Sequence, residues 1–288
     1  MPTLYVVATP IGNLGDLSPR AVETLKNVAL IAAEDTRVTQ KLVNVFELGT
    51  LLTSYHEHNE RGKAARLVQR MLAENIDIAI TTDAGTPCIS DPGSVLVQEA
   101  VQAGIEVVAV AGPSAMAAAL SVSGFPVEEF TFFGFLPRAK GELKEKLLHM
   151  AARSKLAVVH ESPHRVAGLL QCIQDVLPGT QVSASCDLTK KHELTLRGPV
   201  DEVLKNMLAN PKASKGEYCL VLLWAQEDIP AQQEAASPLS LEARLFDGLV
   251  AGLSLRDSME KLTGEGERKN AVYAASLRVK EKLREDAL

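Results

Sequence analysis

Asp83-Ala-Gly-Thr-Pro-Cys-Ile-Ser-Asp-Pro-Gly93 decides how this chain folds. The stretch follows an apolar run, Ile76-Asp-Ile-Ala-Ile-Thr-Thr82, that reads as a strand, and it precedes Ser94 to Ala103, which reads as a helix. Its Gly, Pro, Asp and Ser residues are turn formers, so it is a turn between a strand and a helix. In α/β folds small ligands bind at such strand ends. Two similar turns exist. Thr9-Pro-Ile-Gly-Asn-Leu-Gly-Asp16 follows a strand at Leu4 to Ala8, and Ala111-Gly-Pro-Ser-Ala115 follows one at Ile105 to Val110. Three special turns at the same end of three strands predict the rim of one ligand site.

Outward from that rim, residues 1–121 alternate strands and helices. Ser18-Pro19 supplies an N-cap and a first-turn proline for a helix running to about Asn27. Ala64, Leu67, Val68, Met71 and Leu72 mark a buried helical stripe. The alternation predicts a mainly parallel sheet covered by helices. Ser123-Gly-Phe-Pro126 breaks the pattern, and a second α/β unit follows. Its consecutive strands Gln181–Cys186 and Glu193–Arg197 predict a mixed sheet. Gln226 to Pro238 reads as a linker, and three helices follow without a visible strand. The expected architecture is α/β, with domains at 1–122 and 127–226 and a small C-terminal helical module at 239–288. That module is compatible with a helix-turn-helix or with a packing or dimerisation appendage.

A chain of 288 residues with 46% hydrophobic content can fill more than one core. No apolar run reaches the length of a membrane span. Met1-Pro2-Thr3 leads directly into a strand without a basic segment, which argues against a signal peptide. Cys88, Cys172, Cys186 and Cys219 are widely spaced and read as reduced thiols of a cytoplasmic protein, with no metal site expected. The net charge of −6 means that any nucleic-acid site must be a local basic patch. Arg138 to Lys155 offers one, or else a solvated amphipathic helix.

The turns also exclude ligands. No Gly-x-Gly-x-x-Gly follows the first strand and no Gly-x-x-x-x-Gly-Lys-Ser/Thr occurs, so neither a nicotinamide dinucleotide nor a P-loop nucleotide is indicated. The small residues of Asp83 to Pro87 instead suit close approach of backbone groups to a ligand.

Eight motifs occur in one order: Thr-Pro-Ile-Gly-Asn-Leu (9–14), Ala-Glu-Asp-Thr-Arg (33–37), His-Glu-His-Asn-Glu (56–60), Asp-Ala-Gly-Thr-Pro (83–87), Ala-Gly-Pro-Ser-Ala (111–115), Gly-Phe-Leu-Pro (134–137), Glu-Ser-Pro-His-Arg (161–165) and Lys-Gly-Glu (215–217). Together they resemble the ribosomal RNA small-subunit methyltransferase I family of the tetrapyrrole-methylase superfamily. The resemblance spans nearly the whole chain, and its specificity lies in the ordered set. It implies two α/β domains of tetrapyrrole-methylase type with S-adenosylmethionine in the cleft between them. It places the cofactor near Pro10, Gly12, Asp83, Gly85, Thr86, Ile89, Ser114 and Ala115, with Leu136, Pro137 and the segment 161–165 contributed by the second domain. Thr86 stands where the superfamily has Asp, and the first turn is less glycine-rich than in corrin and porphyrin methylases. Both departures argue against a tetrapyrrole substrate.

The implied reaction is 2′-O-methylation of a cytidine in the decoding region of 16S ribosomal RNA, by a homodimer. The enzyme alternative is a methylase of the same fold acting on a tetrapyrrole or other small molecule; the non-enzyme alternative is a ribosome-assembly factor that binds RNA. A ribose hydroxyl needs a base or orienting acceptor. Candidates are Glu34, Asp35, His56, His58 and Glu161, with Asp35 and Glu161 foremost because each ends a strand at the rim. Asp35 reads equally as an ion-pair partner of Arg37, and Glu161 as a helix N-terminal carboxylate. Candidate RNA contacts are Arg37, Arg138, Lys140, Lys144, Arg165, Arg268 and Lys269. Truncation after Gln226 is expected to leave S-adenosylmethionine affinity near normal in calorimetry while weakening binding to small ribosomal subunits; loss of the cofactor site would make the helical module structural.

Overall fold

The computed structural model describes residues 1–211, 213–225 and 240–285. The expected linker Gln226–Pro238 lies outside the described residues. The chain forms two compact units, Met1–Pro230 and Ala231–Leu288. Both sheets belong to the first, so the two α/β halves expected from sequence pack as one body.

The first half runs β1 (Thr3–Val7), α1 (Pro19–Asn27), β2 (Leu30–Ala33), α2 (Thr36–Val45), β3 (Leu51–Ser54), α3 (Glu60–Glu74), β4 (Ile78–Thr81), α4 (Ser94–Gln102), β5 (Glu106–Val110) and α5 (Ala115–Val122). Its strands lie in the order β3-β2-β4-β1-β5, and every pair is parallel. Period-two alternation divides the strand residues between two cores. Leu4, Ile78 and Ile80 meet Leu67 and Met71 of α3 and Leu96 of α4. Val7, Ile31 and Ala79 meet Ala21 and Leu25 of α1 on the other face. The Ser18 hydroxyl accepts from the Ala21 N–H and starts α1, with Pro19 in the first turn. The strand order brings β4, β1 and β5 side by side, so their three turns are neighbours.

The second half runs β6 (Thr131–Phe135), α6 (Lys140–Arg153), β7 (Leu156–Glu161), α7 (Val166–Val176), β8 (Gln181–Cys186), β9 (Leu194–Pro199), α8 (Val200–Ala209) and β10 (Tyr218–Leu223). The order is β6-β7-β10-β8-β9; β6 and β7 are parallel and the other pairs antiparallel, the mixed sheet expected from sequence. One face packs on α6, α7 and α8 through Leu147, Leu170 and Val203. The opposite face packs Val158 and Val221 against Ala119 and Leu120 of α5 and Ile11 of the first turn.

The second unit contains α9 (Leu241–Val250), α10 (Leu255–Gly264) and α11 (Lys269–Glu285), with Leu245, Leu262, Val272, Ala275 and Val279 as its core. Arg244 bridges Glu265 and Glu267 across the α10–α11 turn.

The turn 83–93 is held in an uncommon backbone. Gly85, Cys88, Ser90 and Gly93 all have positive φ. At Gly93, φ is 138° and a Cβ would stand 2.8 Å from Cys88 Sγ and 2.9 Å from Ile80 Cδ1. Gly93→Ala therefore meets both backbone strain and core overlap. It should cost about 2 kcal/mol or more in urea denaturation; an unchanged midpoint would show that the turn relaxes freely.

Candidate active site

The three turns are tied to each other. Thr9 and Gly85 exchange two backbone hydrogen bonds of 2.8 and 3.1 Å. Thr9 Oγ1 donates to the Thr82 carbonyl at 3.0 Å, and Thr86 Oγ1 donates to the Pro113 carbonyl at 3.2 Å. Glu34 Oε2 accepts from the Thr82 hydroxyl and the Asp83 N–H, and Asp83 Oδ1 accepts from the Asp35 N–H at 3.0 Å. The ends of β1, β2, β4 and β5 thus form one hydrogen-bonded rim.

Across the rim lies the second sheet. A cleft of about 390 Å³ opens between them. Ile11, Asp83, Ala84, Ile89, Ser90, Asp91 and Ala115 line the first side; Phe135, His160, Glu161, Ser162, Asp187, Leu188 and Glu217 line the other. Burial and then the neighbouring Glu34 push the Asp91 carboxyl up to about 6. Burial lowers the His160 imidazole, against the opposing pull of Glu217.

Glu161 is the least ordinary group. It ends β7 and is only 2% exposed. Its Oε1 accepts from the Ser162 N–H at 2.7 Å. Its Oε2 lies 3.2 Å from Arg165 Nη2, but that nitrogen donates to the carbonyls of Leu136 and Pro137, each at 3.0 Å. Oε2 is therefore a buried acceptor with no hydrogen-bond donor. Such a group is costly to leave unsatisfied.

The sequence-expected cofactor residues divide by place. Asp83, Ile89 and Ala115 line the cleft, while Leu136 and Pro137 line an adjoining bay of about 610 Å³ that shares Phe135, Glu161 and Ser162 with it. Gly85 gives its backbone to Thr9, Thr86 serves Pro113, and Ser114 caps α5. Pro10 is buried, and Gly12 lies so close to Leu188 and Lys190 that a Cβ would collide with them. These residues build the rim beneath the cleft rather than its lining.

The expected polar residues also divide. Asp35 caps α2 and forms an ion pair of 2.6 Å with Arg37, whose hydrogen bonds hold the carboxyl down at about 2. Arg37 is itself 88% exposed. His56 Nε2 lies 3.1 Å from Asn59 Nδ2, and its ring meets that of His58 edge-on. Arg138 and Arg165 line the bay with Lys146, whereas Lys140 and Lys144 lie near the Cys172 thiol of α7. Arg268 and Lys269 are exposed at the start of α11, in the second unit. Among the described residues no cluster of three His, Cys, Asp or Glu is placed to hold a metal.

Residues 3–204 match the family model of Tetrapyrrole (Corrin/Porphyrin) Methylases. The chain is 39% identical over 272 residues to the Ribosomal RNA small subunit methyltransferase I of Halalkalibacterium halodurans, covering 94% of this chain and 93% of that protein. The chain belongs to this methyltransferase family. The Vibrio cholerae protein of the same name is 44% identical over 222 residues, 77% of each chain. The fold also matches the crystal structure of diphthine synthase, with a TM-score of 0.59 at 12% identity, over 82% of this chain and 96% of that one.

Family members use S-adenosylmethionine as methyl donor. The residues present fit it. Small Ala84 and Ala115 with apolar Ile11, Ile89 and Leu188 suit an adenosine, and the acidic groups Asp83 and Asp91 suit a cofactor with a cationic sulfur and an ammonium group. The cleft is also lined by His160, Ser90, Asp91, Asp187 and Glu217, which the sequence does not single out as site residues. Asp91 stands inside the opening stretch, and Glu217 ends the Lys-Gly-Glu motif, but nothing local shows that either side chain faces the cleft.

Asp91 sets a pH dependence. Its folded value lies above its ordinary value of 3.8, so between about pH 4 and 6 the folded state holds more protons than the unfolded state. Stability therefore falls as pH rises through that window. Asp91→Asn should raise stability at pH 7 by about 1 kcal/mol, after allowance for its partial exposure. In urea titrations the gain should vanish below about pH 4, where both states are protonated; a gain independent of pH would point to another cause.

Proposed function

We propose that this chain methylates the ribose 2′-hydroxyl of a cytidine in the decoding region of 16S ribosomal RNA. Support comes from the curated relatives named as ribosomal RNA small subunit methyltransferase I and from the ordered motifs. The observation that carries the chemistry is the unsatisfied Oε2 of Glu161, buried where the cleft and the basic bay meet.

S-adenosylmethionine, when bound, would supply a methyl group activated by a cationic sulfur that leaves as a neutral thioether. Asp83, Ile89 and Ala115 would hold the cofactor in the cleft, with Leu136 and Pro137 beside it in the adjoining bay. Glu161 Oε2 accepts the hydrogen bond of the ribose hydroxyl and takes its proton as the oxygen gains the methyl. Arg165, anchored by the Leu136 and Pro137 carbonyls, stands 3.2 Å from the carboxylate and orients it. His160, whose imidazole pKa is lowered by burial, lines the cleft beside that hydroxyl. Alignment of the two reactants contributes roughly 7–11 kcal/mol of the barrier lowering.

RNA contacts on the first unit are Arg37, whose guanidinium Asp35 holds, with Arg138, Lys140 and Lys144; the helical unit by itself offers Arg268 and Lys269. Phosphates are their partners, and these contacts position the RNA without reading its sequence. The protein acts in the cytoplasm as a homodimer on the RNA or the small subunit. No helix among the described residues is long and apolar enough to cross a membrane.

Transfer of labelled methyl from S-adenosylmethionine to small subunits from cells lacking the protein tests the reading. Mass mapping should place the label on one cytidine ribose. Glu161→Gln should lower turnover by about 10²–10⁴ while calorimetry shows cofactor affinity little changed. Wild-type turnover in that variant would assign the proton to another group or to water.

A further inference from the structure

Phe135 is 62% exposed, whereas the three residues before it on β6 are buried or half-buried. The cause is local. Phe132 pairs with Val158 and Gly134 with Val159, so Phe133 is an extra residue in β6. Gly134 adopts φ 61° and packs beside Ser90 of the first-sheet turn. A bulge of this kind re-aims the side chain that follows. Here it turns Phe135 to the junction of the cleft and the bay, where it lines both. His160 backs it with ring centroids 5.8 Å apart.

The bay beyond is basic. Arg138, Lys146 and Arg165 line it, with Glu161 at its inner edge. Lys146 Nζ stands 5.2 Å over the Phe133 ring and is held there. The chain carries a net charge of −6, so three cations around one concavity are a local exception. An exposed aromatic face on the wall of a concavity lined by cations is the chemistry of an unpaired nucleotide: the base stacks and the flanking phosphates pair. A ribose hydroxyl inside a helix is hemmed in by its neighbours, and enzymes that act on a nucleotide take it out of the stack.

We propose that Phe135 is the stacking platform for an unpaired nucleobase of the RNA substrate, and that Arg138 and Lys146 hold the phosphates beside it. The site so built places the ribose of the stacked nucleotide next to Glu161. It takes single-stranded RNA and not a duplex, whose bases offer no free face. The proposal rests on the methyltransferase reading for the nucleic acid, but stacking can be tested without turnover.

The test uses the full chain with Phe135→Leu, Phe135→Trp and Arg138→Ala. Anisotropy of a labelled 12-nucleotide single-stranded RNA of mixed sequence gives affinity, and labelled-methyl transfer to small subunits gives kcat and KM. Cofactor calorimetry on each variant confirms that the site is folded. Phe135→Leu keeps the apolar volume without the aromatic face. It should weaken single-strand binding roughly 5- to 150-fold, with duplex RNA binding unchanged, and Phe135→Trp should restore it. Arg138→Ala should lower the slope of log affinity against log salt by about 0.7, while Phe135→Leu leaves that slope alone.

Equal single-strand affinity in Phe135→Leu and the native chain overturns the platform. So does a loss confined to S-adenosylmethionine binding, which would make Phe135 a wall of the cofactor cleft. If the native chain binds single strands through Phe135 yet transfers no methyl to small subunits, the platform stands and the methyltransferase reading of its substrate fails.

Discussion

The contact on which the site depends is that of α5 with the second sheet. Ala115, Ala118 and Ala119 carry methyl groups only, so the helix backbone comes close to Val158 and Val221 and shares their apolar cluster with Ile11 and Leu188. Arg197 of β9 donates two hydrogen bonds to the Val122 carbonyl and satisfies the end of the helix. A larger side chain at Ala119 would push the sheets apart. The cleft width, and the approach of Asp83 and Ala84 to His160 and Glu161, follow from that packing.

Within this frame, charge is distributed by region. The cleft carries Glu34, Asp83, Asp91, Asp187 and Glu217, and the adjoining bay carries Arg138, Lys146 and Arg165. An overall acidic chain can thus present a basic face to a polyanion and an acidic one to a cationic cofactor, because each field is local at the Debye length of physiological salt. Glu161 stands at the boundary. Its buried Oε2 is the acceptor that neither region satisfies.

The turns and the bulge supply the remaining geometry. Positive φ at Gly85, Cys88, Ser90 and Gly93 lets residues 83–93 fold back on β1 and reach Gly134 of β6. Two of those residues are not glycine, so the conformation is imposed by the surrounding contacts.

Much of this was legible in the chain itself. The alternation of apolar runs with helical stripes, the Ser18-Pro19 start and the broken pattern at Ser123 to Pro126 are local signals, and they determined the two sheets and the strand ends that form the rim. The ordered motifs determined the family. Tertiary structure alone decided which rim residues face the cleft. Gly85 and Thr86 are committed to Thr9 and Pro113 through hydrogen bonds that connect residues up to 76 positions apart for Gly85 and Thr9, and Gly12 is hemmed in by Leu188 and Lys190. The basic segment 138–155 likewise divided only when α6 packed, with Lys146 toward the bay and Lys140 and Lys144 near Cys172. Composition and spacing report which groups a segment carries. Where a side chain points, and whether its hydrogen bonds are already taken, depends on partners from distant strands, and these exist only in the folded chain.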